Sequence, residues 1–219
     1  MSTRDLRSVI KATLECALPD YWDGQMCVRE LKKANFHWRQ MEWIGWWFEY
    51  RGRRLLIEKL GGADGPSFGN TGFDYSVNDQ VWDLKASAGT GKWQILNDIE
   101  AIRRCCEEYG DVGFIIACGT AVFDDPARRC FQRWHDSLKG SPSAYVRRRV
   151  ARGATSRLRK KAFRLDKYVV FRLRNRDIDR GLNEGWLGRF QEGMRNADGS
   201  SRRAKLKIVL SDLPNEFIT

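Results

Sequence analysis

Residues 72–85 run Gly-Phe-Asp-Tyr-Ser-Val-Asn-Asp-Gln-Val-Trp-Asp-Leu-Lys, and two acids and a lysine within them are spaced for joint chemistry. Asn78-Asp79 suits a two-residue hairpin loop, because both residue types tolerate positive φ. With that loop Val77 pairs with Gln80, and Asp74 falls opposite Asp83. Opposed residues of an antiparallel pair hold their Cβ atoms about 4.5–5.5 Å apart. Two carboxylates that close repel unless a cation lies between them. Oxygen-only ligation, with no Cys or His in the run, selects a hard ion such as Mg2+, for which Mn2+ substitutes. Strand alternation puts Val81, Asp83 and Lys85 on one face and turns Trp82 and Leu84 toward a core. Lys85 is then beside the acid pair, placed to orient or deprotonate a water and to offset charge developing on phosphorus. An acid pair with an adjacent ammonium describes metal-assisted phosphodiester hydrolysis.

This arrangement resembles the PD-(D/E)xK nuclease superfamily, whose signature is an Asp followed roughly ten residues later by an acid-x-Lys tripeptide. Asp74 matches the first Asp and Asp83-Leu84-Lys85 the tripeptide, with Phe73 where the nominal Pro would stand. The family usually adds a Glu from the preceding helix, and Gly45-Trp46-Trp47-Phe48-Glu49 looks like that helix. Gly45, Glu49, Gly52 and Leu56 share one helical stripe, where the glycines would let backbone or DNA approach Glu49. The resemblance covers Trp43 to about Cys118. It implies a restriction-endonuclease-like αββαβ core, catalytic Glu49, Asp74, Asp83 and Lys85, and metal ligation by Asp74, Asp83 and Glu49. Among such enzymes a type II restriction endonuclease is the expected kind. It would cut double-stranded DNA as a homodimer and work alongside a cognate DNA methyltransferase without direct contact. A junction-resolving or repair nuclease with the same site is the rival, as is a non-cleaving nucleic-acid-binding protein. In the last case Asp74 is a turn residue, Asp83 and Lys85 form an ion pair, and Glu49 is a solvated helix residue. Glu42 is an alternative helix acid, and Glu58 and Asp79 are lesser candidates.

The charge balance points the same way. The net charge is +11, and residues 141–180 hold fourteen Lys or Arg against three acids, which equals the whole excess. A run of this kind is either a solvated face or a surface that tracks phosphates. Arg147, Arg148, Arg149, Arg152, Arg157, Arg159, Lys160 and Lys161 are the expected DNA contacts, through phosphates or guanine edges. Trp186, among basic residues, is a weaker candidate for DNA contact, whereas Trp43, Trp46 and Trp47 suit core or dimer packing. His37 and His135 lack partners for nucleophilic catalysis. The six cysteines show no C-x-x-C spacing, and buried thiols account for them better than a site built from Cys118, Cys130 and His135.

Helices that must position these groups are expected over Asp5–Cys16, Gln25–Ala34 and Met41–Leu60, the last ending at Gly61-Gly62. Extended runs follow over Thr71–Val77 and Gln80–Ala86, then a helix over Trp93–Tyr109. Val112–Cys118 has the apolar, β-branched pattern of a buried central strand. Asp124-Asp125-Pro126 marks a helix start. The basic half adds a strand at Lys167–Leu173, a helix over Arg176–Met194 and a strand at Ala204–Leu210. The fold class is α/β, helices flanking a mixed β-sheet, in one domain: residues 1–40 helical, 41–140 the catalytic core, 141–219 the basic DNA-recognition half. No apolar run is long enough for a membrane span, and the N-terminus lacks a signal-peptide pattern, so a cytoplasmic protein is expected.

Overall fold

The structure, a computed structural model, describes residues 3–89, 93–196 and 198–217. Met1 and Ser2, part of the N-terminal pattern read above, lie outside them. Three helices lead: α1 (Thr3–Ala17), then strand β1 (Tyr21–Asp23), α2 (Gly24–Lys33) and α3 (Trp43–Leu60). Next come the short strands β2 (Ser67–Phe68), β3 (Thr71–Gly72) and β4 (Tyr75–Val77), then β5 (Gln80–Ser87) and β6 (Gln94–Asp98). Helix α4 (Ile99–Tyr109), strand β7 (Val112–Phe123) and helices α5 (Cys130–Leu138) and α6 (Ala144–Ala151) follow. The remainder is β8 (Lys160–Leu173), α7 (Asn175–Glu184), β9 (Leu187–Phe190) and β10 (Lys205–Ile208).

The main sheet has strand order β1-β8-β7-β5-β4. Within it β5 and β7 are parallel and the other pairs antiparallel, so the sheet is mixed. Alternation along β7 feeds two cores. Ile115 and Ala117 join Trp82, Leu84 and Val170 under α1, α2 and α3. Phe114 and Ile116 join Val81 and Phe171 under α4, α7 and a smaller sheet of order β6-β10-β9. A strand covered on both faces must be apolar throughout, which is why Val112–Cys118 was recognisable. Truncating a fully buried aromatic such as Trp82 or Phe114 would cost about 3–5 kcal/mol. Among the described residues no helix is long and apolar enough to cross a membrane.

Three expected elements differ. The helix over Trp93–Tyr109 begins only at Ile99, because Asp98 Oδ1 accepts from Glu100 N (3.1 Å) and Ala101 N (3.3 Å). Its first residues instead form β6 against β10, a partner invisible to local periodicity. Asp124-Asp125-Pro126 makes a turn: Asp125 Oδ1 accepts from Ala127 N and Arg128 N, and the helix waits until Cys130. The helix expected to reach Met194 stops at Glu184, where Gly185 takes φ 87°, and β9 follows. Helix α6, capped by Ser143 through Val146 N, lay unrecognised inside the basic run.

Candidate active site

Asn78 and Asp79 adopt φ 49° and 56°, the double left-handed turn that a two-residue hairpin loop requires. Val77 pairs with Gln80 and Tyr75 with Trp82, so the register brings Asp74 level with Asp83. Strand β4 ends at this point, and the Asp74 side chain carries the pairing one step further. Its Oδ2 accepts from Leu84 N at 2.6 Å, while Asp74 N donates to Trp82 O at 3.0 Å. The loop before it is pressed onto the hairpin. A Cβ on Gly65 would lie 2.6 Å from Phe73 O, so only glycine lets the chain deliver Asp74 along this path.

Asp83 is fully buried. Lys85 Nζ lies 2.7 Å from Oδ1 and 2.7 Å from Oδ2, but the hydrogen bond aligns on Oδ1, and Oδ2 is left without an aligned donor. Burial pushes the Asp83 carboxyl up to about 8; Lys85 opposes the shift and Asp74 adds to it. Burial also works to lower the Lys85 ammonium, yet Asp83, Asp74 and Glu49 outweigh it and hold the group above its ordinary value. Lys85 is therefore a cation among acids, and its side chain keeps 24% exposure.

Glu49 arrives from α3. That helix can lie close over β5 because residue 52 is glycine, whose Cβ would stand 2.9 Å from Leu84 Cδ2. Burial and then Asp74 push the Glu49 carboxyl up to about 7, against the pull of Lys85 and Arg53. Gly45, one turn earlier, opens onto empty space. Arg53 is a participant the sequence reading passed over. It sits one turn after Glu49, with Nη1 3.5 Å from Asp64. Only its i+4 spacing from Glu49 would have signalled it.

Among the described residues no three His, Cys, Asp or Glu side chains converge closely enough to hold a metal ion, so Asp74, Asp83 and Glu49 do not form a closed cage. Mg2+ does not need one, since it keeps several waters and is commonly held by one or two carboxylates plus phosphate oxygens. The Asp74–Asp83 pair fits that demand, with a buried oxygen lacking an aligned donor and three acids facing one lysine. Of the lesser acids, Glu42 is exposed and pairs with Lys160 at 2.7 Å, and Glu58 pairs with its neighbour Lys59.

The basic run lies toward the same end of the sheet. Lys85 is level with Ile116 and Lys160 with Phe123, seven residues apart along β7, or about 23 Å at the usual strand rise. Arg147, Arg148, Arg152, Arg157 and Lys161 are exposed. Arg149 is half-buried and donates to Thr155 O, and Lys160 is held by Glu42. Arg159 corrects the reading: it is buried at 2% exposure, 3.8 Å from Asp136, and cannot touch DNA from there. Trp186 is another correction, buried against Phe217. His135 is a core residue bonded to Trp38 O. Comparison with protein-family models, with curated proteins and with solved structures found no match.

Proposed function

We propose that this chain is a Mg2+-dependent endonuclease that hydrolyses phosphodiester bonds of double-stranded DNA, built on a PD-(D/E)xK core made of α3, β4, β5, α4 and β7. The observation that carries the reading is the hairpin register, which sets Asp74 level with Asp83 and bonds its carboxylate across to Leu84 N. Asp74 and Asp83 would hold the ion, and when bound it supplies Lewis-acid stabilisation of charge developing on the phosphodiester. Lys85, kept charged by its acids, adds positive charge on the same side and orients the attacking water; an ammonium held so firmly does not serve as the base. Glu49, with a carboxyl poised near neutrality, is suited to accept the water proton. The exposed arginines of residues 141–157 bind phosphates.

One such site hydrolyses one phosphodiester, so cutting both strands calls for a homodimer. A site-specific type II restriction enzyme, paired in its system with a methyltransferase, is the finer proposal. Supercoiled and linear duplexes incubated with the protein in Mg2+, Mn2+ or EDTA test the reading. Nicking or cutting with metal and silence in EDTA are expected. No cleavage with either metal, on unmodified or methylated DNA, overturns it in favour of a non-cleaving DNA-binding protein. Cleavage confined to branched or damaged substrates replaces restriction with resolution or repair.

A further inference from the structure

A second basic element stands outside the run that the sequence singled out. Beyond Phe190 the β9–β10 pair kinks at Gln191, where φ is 66°, and then resumes as a narrow ribbon. Arg202 N donates to Met194 O, Asn196 N donates to Ser200 O, and Arg195 bridges Ser201. The described residues of its outer part, from Met194 to Arg203, are all exposed, and they include Arg195, Asn196, Arg202 and Arg203. The base of the ribbon leans on the β2–β3 hairpin. A Cβ on Gly69 would lie 3.4 Å from Arg203 Nη1, and Asn97 Nδ2 donates to Gly72 O at 3.4 Å, two residues before Asp74. A polar cavity of about 530 Å³ opens there, lined by Asn70, Thr71, Gln191, Asn196 and Arg202 among others.

Resting on the nuclease reading, we propose that this ribbon is the element that reads base sequence in the major groove, while the 141–157 run holds phosphates. Topology places the two on opposite flanks of the site. The ribbon attaches beside β4, at one edge of the main sheet, whereas the run joins β7 to β8 toward the other. Chemistry divides their roles. Residues 141–161 hold no Asn or Gln, whereas the ribbon sets Asn196 beside its arginines. Both elements also bond within their own segments, Arg147 Nη1 and Arg149 Nε to backbone carbonyls, Arg195 Nη1 to Gly199 O and Asn196 Nδ2 to Ser200 Oγ. The ribbon mixes arginine with amide and hydroxyl groups and an exposed Met194. These are the groups that distinguish bases: Arg to guanine, Asn or Gln to adenine, an apolar side chain to the thymine methyl. A major groove about 12 Å wide and about 8.5 Å deep admits a two-stranded ribbon.

The test binds a randomised duplex DNA library to the full chain in Ca2+ and sequences what is retained, for the wild type, Arg195→Ala/Arg202→Ala, Asn196→Ala and Arg147→Ala/Arg148→Ala/Arg149→Ala. The wild type is expected to enrich a motif. Each ribbon variant should lose roughly five- to 150-fold of preference at one or two of its base pairs and keep random-duplex affinity within about threefold. The triple variant should lose affinity for all sequences alike and keep the motif. Methylation of guanine N7 should block wild-type binding at positions where it no longer matters to Arg195→Ala/Arg202→Ala. An unchanged motif in the ribbon variants, a uniform loss of affinity in them, no motif in the wild type, or preference for duplex RNA each overturns the proposal. Mg2+ cleavage is scored separately. A chain that enriches a motif without cutting refutes the nuclease reading alone, and one that cuts without a motif refutes the ribbon's role alone.

Discussion

Lys85 Nζ lies 2.7 Å from each carboxylate oxygen of the fully buried Asp83, so in the metal-free protein a lysine provides the positive charge that a cation would otherwise bring. One ammonium does not neutralise three acids. Burial, and after it the neighbouring Asp74, keep Asp83 and Glu49 raised, to about 8 and about 7, and this has a consequence for stability. In the unfolded chain both titrate near their ordinary values of about 4. The folded state thus binds more protons between those limits, and its stability falls as pH rises through them. His135, lowered to about 4 by burial, acts oppositely, because its contribution is lost as pH falls below about 6.5. Two extra protons outweigh the one that His135 lacks, so from these groups metal-free protein should lose thermal stability as pH rises from about 4.5. The loss should be steepest between about 6.5 and 7, where His135 no longer opposes it, and should continue to pH 8. Added Mg2+ should raise the melting temperature most at pH 8. A midpoint that climbs steadily from pH 6.5 to 8 without metal contradicts the charge balance.

Asp83→Asn removes one of the crowded charges and one proposed metal ligand together. Cleavage should drop by at least about 100-fold, DNA binding should persist, and the decline in melting temperature between pH 6.5 and 8 should flatten. An Asp83→Asn protein that cuts at the wild-type rate means another acid does the work.

Lys85→Met separates charge stabilisation from ligation. The variant should cut no DNA yet bind Mg2+ at least as tightly as the wild type by calorimetry, because the ammonium that competes with the ion is gone. Weaker Mg2+ binding would show that Lys85 organises the acids more than it competes for them.

Two glycines of α3 make a matched pair. Gly52→Ala sets a methyl 2.9 Å from Leu84 Cδ2 and 3.2 Å from Phe48 Cε2, an overpacked contact expected to cost about 1–3 kcal/mol and to displace Glu49 with the helix. Gly45→Ala meets nothing within 4 Å and should gain up to about 1 kcal/mol from helix propensity. Urea denaturation distinguishes the two, and equal shifts would mean that α3 does not rely on close approach at Gly52.

What the sequence made legible was local. Asn78-Asp79 set the hairpin register, alternation separated Asp83 and Lys85 from Trp82 and Leu84, and Gly61 marked the end of α3. What it hid depends on distant partners. Gln94–Asp98 is a strand because Lys205–Ile208 lies beside it, and Trp186 is buried because it belongs to the core under α4 and α7, with Phe217 tilted against it. Arg159 resembled its exposed neighbours in every sequence property. Asp136, one helix earlier, draws it inward.

That contrast supplies the last prediction. If residues 141–157 hold DNA through phosphates, each contact contributes about −0.9 to the slope of log affinity against log salt. Replacing Arg147, Arg148 and Arg149 by alanine should flatten that slope by up to about 2.7 if all three touch phosphates, and should weaken binding to every duplex alike. Arg159→Met is the control. Its guanidinium has no hydrogen-bond partner among the described residues, and Lys139 Nζ, 2.8 Å from Asp136, keeps that carboxylate from being left buried and unpaired when the guanidinium is replaced by an apolar side chain. That variant should keep the wild-type slope and affinity and melt at or above the wild-type temperature. Binding titrations at several salt concentrations decide between the two positions. A triple variant with the wild-type slope makes the run a solvated face, and a flattened slope in Arg159→Met would mean that this side chain leaves the core to reach DNA.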